Sequence, residues 1–174
     1  MRSFMTRVGS GLCLLAVLSV SLLALSGEPA RTSGDELKKA PPGQEKFSGF
    51  VGSIEDLTIE NSFFRKVLFT GKHLQLVVMS LKPGEGIGKE VHHHVDQFFR
   101  IETGEGKLVI GEDEKEAYPL QDGDALVIPA GVLHNILNTS TTEPLQIYTL
   151  YSPPNHPAET VHKTKAEAEE HGHH

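Results

Sequence analysis

The chain has 174 residues, enough for one buried core and too few for several. Its 16 Lys and Arg against 23 Asp and Glu leave a formal charge of −7, and with no basic cluster to offset it the chain is a poor nucleic-acid binder. The lone cysteine, Cys13, excludes a disulfide framework within the chain.

The first element is a secretory signal peptide over residues 1–26. Arg2 and Arg7 form its positive start, residues 12–25 are almost uninterruptedly apolar, and Ala24-Leu25-Ser26 offers a small-x-small cleavage site before Gly27. An apolar run of about 14–16 residues is short for a bilayer span. Cys13 sits inside that run without lipobox residues before it, which argues against a lipid anchor. The expected product is secreted or periplasmic, with no membrane attachment after cleavage. Loss of two arginines takes the charge from −7 to −9 and leaves no cysteine. Residues 27–47 are rich in Pro, Gly, Ser and charge, and read as a flexible linker.

The folded domain is expected over residues 48–157, built from short alternating runs punctuated by turns, the pattern of an all-β barrel or sandwich. Residues 63–70 and 73–81 read as a hairpin around Thr70-Gly71-Lys72. Both faces of 74–81 hold apolar residues, which places that strand at the centre of a sheet or in a dimer interface. Residues 97–101 and 107–111 follow, joined by the tight turn Thr103-Gly104-Glu105-Gly106. Period two puts Gln97, Phe99 and Ile101 on one face, so a polar residue leads an apolar inner wall. It suits a ligand position there; a strand-end Gln bonding backbone is the plainer alternative. The turn Leu120-Gln121-Asp122-Gly123-Asp124 leads into the apolar strand 125–128, Pro129-Ala130-Gly131 turns the chain before His134, and 145–151 supplies the closing strand. Residues 158–174 are polar and helix-compatible, ending in His171, His173 and His174. They read as an exposed tail, with accessory metal binding as the functional alternative.

Two stretches carry the chemistry. The second, GDALVIPAGVLHNILN, fits the pattern G-x5-P-x-G-x2-H-x3-N at Gly123, Pro129, Gly131, His134 and Asn138. Gly, Pro and Gly alone would fall at those spacings at roughly one start in four thousand by average usage. The first, GEGIGKEVHHHVDQFFRIETG, fits G-x5-H-x-H-x3-or-x4-E-x6-G at its glycines, Gly84 and Gly104, with Glu90, His92 and Gln97 at the three ligand positions. Together the two resemble the paired motifs of the cupin family. The resemblance implies a double-stranded β-helix, or jelly-roll barrel, holding a divalent metal ion through Glu90, His92, Gln97 and His134. Two of these depart from the family pattern, since Glu90 replaces a His and Gln97 replaces a Glu. The set still contributes one negative charge, with the carboxylate moved and an amide, a weaker neutral ligand, in its former place. Two His and one carboxylate suit Fe or Mn, and Zn or Ni can also be held by imidazole. In a rival register His92 and His94 form the His-x-His pair, with Gly86 as the opening glycine.

The resemblance covers about 110 residues, and the phrases VDQFFRIETGEG and YSPPNHP are similar to those of small stand-alone cupins often labelled mannose-6-phosphate isomerase-like. It implies a small-molecule substrate or ligand and a homodimer. Oxygenase-like chemistry is the first expectation, non-catalytic ligand binding or sensing the second, and sugar isomerisation the third. An isomerase would need a basic residue for the phosphate, for which Lys89 and Arg100 are the candidates, Arg100 pointing outward by its strand phase.

Overall fold

The computed structural model describes residues 47–171, which lie in one compact unit. The expected signal peptide and almost all of the linker lie outside the described residues, as do His173, His174 and the side chain of His171. Among the described residues no helix is long and apolar enough to cross a membrane.

Among the described residues nine strands form two sheets, as expected of an all-β jelly-roll barrel. In chain order they are β1 (Arg65–Thr70), β2 (Gln75–Leu81), β3 (Asp96–Thr103), β4 (Glu105–Ile110), β5 (Glu116–Gln121), β6 (Ala125–Ile128), β7 (His134–Asn138), β8 (Leu145–Ser152) and β9 (Val161–His162). The larger sheet runs β6-β3-β8-β2-β1-β9 and the smaller β5-β4-β7, with antiparallel pairing throughout.

Register defines the inner face. Gln97, Tyr151 and Gln75 stand in one row across β3, β8 and β2, while Phe99, Thr149, Val77 and Val67 form the next. Ile101, Ile147 and Met79 follow, and Leu81 and Leu145 end the series. The apolar members pack against Leu108, Ile136 and Leu120 of the smaller sheet. Full burial of each such side chain stabilises by roughly 2 kcal/mol. One end of this interior is apolar; the end carrying Gln97, Tyr151 and Gln75 is polar and yet equally buried.

Strand β2 is flanked by β1 and β8, and helix α1 (Ile54–Ile59) contacts β2, β3 and β8. Its two apolar faces are therefore covered within one chain, the first of the two readings its pattern allowed. Ser53 caps α1, accepting from the Asp56 amide at 3.4 Å. The sequence pattern does not reveal this helix because six residues are too short to show a 3.6-residue period.

Three details go beyond the sequence reading, and the last corrects it. The turn at Gly104 joins β3 to β4, and because those strands belong to different sheets Gly104 (φ 96°) is the corner between them. A Cβ there would stand 2.5 Å from the Pro144 carbonyl oxygen, so a glycine is needed on both counts. Leu145–Ser152, read as the closing strand, lies in the larger sheet between β3 and β2. Finally, part of the 158–174 stretch joins the fold. Val161–His162 pairs with β1, and α2 (Lys165–His171) lays Ala168, 8% exposed, into the core.

Candidate metal centre

The loop between β2 and β3 behaves as an extra strand alongside β7. Ile87 donates to the Ile136 carbonyl at 3.0 Å, and the Asn138 amide donates to Glu85 at 2.8 Å. Glu90 and His134 exchange both backbone hydrogen bonds at 3.0 Å, and Gly131 donates to the His92 carbonyl at 2.8 Å. Directly opposed residues share a face, and so do residues two apart on one strand. That register carries Glu90, His92 and His134 to one side.

Their polar atoms meet. Glu90 Oε1 lies 3.3 Å from His92 Nε2 and 3.5 Å from His134 Nε2, and neither contact has hydrogen-bond geometry. His134 is buried, and its Nδ1 lies 2.9 Å from the Val132 carbonyl. A carbonyl only accepts, so Nδ1 carries a proton there, and the ring turns Nε2 toward the Glu90 carboxylate. Gln97 adds a further buried polar atom. Its amide nitrogen donates to Thr149 Oγ1 at 3.3 Å, leaving a buried Oε1 with no partner. Gln97 stands opposite Tyr151 in register, and the Tyr151 ring meets His92 edge-on at 5.7 Å, so all four residues look into the same interior.

Buried ring nitrogens and an amide oxygen without hydrogen-bond partners, gathered by a carboxylate, form an environment that a bound cation can complete. Ligand atoms about 2.0–2.2 Å from one ion stand roughly 2.8–3.6 Å apart in octahedral or tetrahedral arrangement, and the two Glu90 contacts fall in that range. The side chains are nevertheless not a closed ligand set: among the described residues no group of three or more His, Cys, Asp and Glu stands ready to hold a metal ion. The donor set fits a metal in its chemistry and spacing, and still requires side-chain adjustment to close on one.

Burial raises the Glu90 carboxyl, but His134 and His92 more than reverse this and bring it to about 2. Glu90 is therefore an anion across the physiological range. His93 and His94 are exposed and outside this group. The two basic candidates are engaged elsewhere. Lys89 approaches Glu114 at 3.2 Å and Glu112 at 3.7 Å, and Arg100 approaches Glu102 at 3.9 Å.

A cupin-domain profile matches residues 77–151. YrkC of Bacillus subtilis, described as an uncharacterized protein, is 48% identical over 122 residues, covering 68% of this chain and 65% of YrkC. The chain therefore spans just under two-thirds of that relative. L612 of Acanthamoeba polyphaga mimivirus is 43% identical over 108 residues, 62% of this chain and 68% of L612. The crystal structure of BH2720 from Bacillus halodurans superposes with a TM-score of 0.67 at 47% identity, covering 70% of this chain and 93% of that one. The chain belongs to the cupin family. None of the three relatives is named for an activity, so the isomerase label is not carried to this cupin by them.

Sequence reasoning missed the burial of two polar residues of this cupin, of which His156 lies near the centre. His156 packs edge-on against Tyr151 at 5.0 Å, and Arg65 is nine-tenths buried beside Phe64. His156 follows two prolines in a loop, where no periodicity announces burial. Arg65 did carry a signal, since alternation on β1 puts it on the same face as Val67.

Proposed function

We propose that this cupin binds a divalent metal ion through Glu90, His92 and His134, with Gln97 as a weaker fourth ligand, and acts there on a small organic molecule. The supporting observation is the convergence on the Glu90 carboxylate of His92 Nε2 and His134 Nε2, both buried without a hydrogen-bond partner. Two imidazoles and a carboxylate favour Fe or Mn, with Zn or Ni also compatible. A bound ion of this kind supplies Lewis-acid activation at positions left open to a ligand.

The chain's own residues set the conditions for that chemistry. The Val132 carbonyl fixes the tautomer and ring direction of His134, the orienting role a second partner plays for metal-bound imidazoles. Phe99 and Tyr151 wall the interior and exclude water around the imidazoles. Glu90 supplies the charge, and Gln97, neutral and bonded to Thr149, keeps the total at one negative. Such a site favours oxygenase-like chemistry. With Lys89 and Arg100 engaged by acids, phosphate handling by the expected residues has no support.

The test is elemental analysis of protein purified without chelating resin, followed by oxygen uptake with a panel of phenols and organic acids. Failure to retain Fe, Mn, Zn or Ni after dialysis would overturn the metal reading. Metal retention with no uptake across the panel would move the function to non-catalytic ligand binding. We further propose export after cleavage near Gly27, read by the mass of the natively produced protein, and a homodimer, read by its solution mass.

A further inference from the structure

A cavity of about 680 Å³ opens at the other end of the barrel from the candidate metal centre. The end of α1, the corner between β3 and β4, the turn before β6 and the loop between β7 and β8 enclose it. Along β8, Gln146 in its wall stands five residues from Tyr151, roughly 17 Å at the usual rise of a strand. The walls are tied in place. Asn138 donates to the Glu143 carbonyl and Ser140 Oγ accepts from the Glu143 amide, both at 2.9 Å, while Asp124 accepts from the Gln121 amide at 2.9 Å. Such a volume suits a small organic molecule rather than a bare ion.

Gln146 points to what that molecule must offer. It is 7% exposed, and alternation on β8 turns it away from the core residues Leu145 and Ile147. Its side-chain nitrogen donates to the Ile59 carbonyl at 3.2 Å. A carbonyl only accepts, which fixes the amide's orientation and makes Oε1 its free end. That oxygen is buried without a hydrogen-bond partner. An acceptor in this state costs about 1–3 kcal/mol until a donor reaches it.

The charge around the cavity selects the donor. Glu105, Asp122 and Glu143 line it, and none of them enters an ion pair found among the described residues. Among the described residues that line it there is no Lys, Arg or His. The three carboxylates are not gathered on one point, since among the described residues no group of three or more His, Cys, Asp and Glu stands ready to hold a metal ion. Dispersed negative charge beside an acceptor that lacks a donor matches an extended organic cation.

We infer that this cavity is a second ligand site, where Gln146 Oε1 accepts from an ammonium group of a free aliphatic diamine or polyamine and Glu105, Asp122 and Glu143 balance its charge. Ile59 and Pro144 offer apolar surface to the methylenes between the nitrogens. The site is independent of the metal reading.

The experiment titrates the natively produced protein with 1,4-diaminobutane at constant ionic strength, against 1,4-butanediol and calcium chloride. The side-chain amide resonance of Gln146 is followed by 15N NMR, and affinity by calorimetry. The diamine should shift that resonance saturably, and the diol and calcium should not. Gln146→Leu should weaken diamine binding by roughly tenfold or more. The exposed pair Asp122→Asn with Glu143→Gln should weaken it by about threefold, and less at high salt. His134→Ala should bind the diamine as the unaltered protein does. No saturable shift with the diamine overturns the inference, as does equal binding of the diol or saturation by calcium alone. If Gln146→Leu does not fold, the double carboxylate variant decides, and unchanged affinity there also overturns it.

Discussion

Residues 123–138 and residues 84–104 lie antiparallel and face each other across the candidate centre, yet they are held on different terms. The first contains two regular strands, bends at Gly123 (φ 91°) and Gly131 (φ 85°), and ends on Asn138, which is buried and bonded. The Asn138 amide donates to the Leu81 and Glu143 carbonyls, both at 2.9 Å, and its oxygen accepts from Ser140. The second is mostly loop, held to β7 by two isolated bridges, and its Glu90 and His92 are only partly buried. One half is a frame in which nearly every motif position has a backbone task. The other hangs on that frame and can change its ligand residues without altering the fold. That difference accounts for a sequence that keeps every position of one motif and only the glycines and one ligand of the other.

The sharpest way to break the comparison is at His134, the one candidate ligand that belongs to the frame. His134→Ala should reduce metal affinity by more than about 100-fold, since no other imidazole stands opposite Glu90. Equilibrium dialysis measures it, and retained metal in the variant would remove His134 from the centre. Gly104→Ala tests the backbone half of the second region. Left-handed geometry and the clash with Pro144 should together cost about 2–4 kcal/mol in denaturant unfolding. An unfolding midpoint like that of the unaltered protein would show that the corner relaxes freely. Asn138→Ala should cost about 1–3 kcal/mol by leaving the Leu81 and Glu143 carbonyls without their donor, while metal affinity stays unchanged.

What could be read in advance follows the same division. Strands β2, β3, β6 and β8 were legible because alternation and turn residues bound them, and Gln97, Phe99 and Ile101 face inward as their spacing predicts. Strand β5 was not legible: it is an edge strand with Leu120 as its only buried residue and Pro119 inside it. The polar segment at β9 and α2 looked like a tail because two strand residues and one buried alanine leave no period to detect. At the centre, the motif spacing pointed to Glu90, His92, Gln97 and His134. His156 reaches the same interior from a proline-bounded loop by packing on Tyr151, and only the tertiary fold joins it to the motif residues.

Acid should also separate the regions in the metal-free protein. His156 is held down to about 3 by burial, with Arg65, His92 and His162 disfavouring its charge and Glu90 favouring it. A folded-state value below the unfolded one means that the unfolded chain binds the extra proton. The stability it protects is therefore complete above about pH 6.5 and lost as the pH falls from there toward about 3. Glu90, at about 2, adds a second loss that begins only below about pH 4.5. His156→Phe should flatten the upper part of this stability profile and leave the lower part. An unchanged slope between pH 6.5 and 4.5 would show that His156 is not the group responsible.

The smallest effect is expected at His94, and it decides the register. His92, His93 and His94 are chemically alike, and the rival pairing would make His94 a ligand and leave Glu90 free. In the fold, Glu90 opposes His134 directly and His92 follows on the same side, whereas His94 is exposed beyond them. His94→Ala should therefore change metal affinity by less than about twofold, within the range of a surface substitution. Glu90→Ala should weaken it far more, because the carboxylate is the only charge in the set and leaves two imidazoles and an amide behind. Dialysis of both variants against the same ion makes the comparison direct. Loss of metal in His94→Ala with retention in Glu90→Ala would select the rival register and move the centre toward the mouth of the barrel.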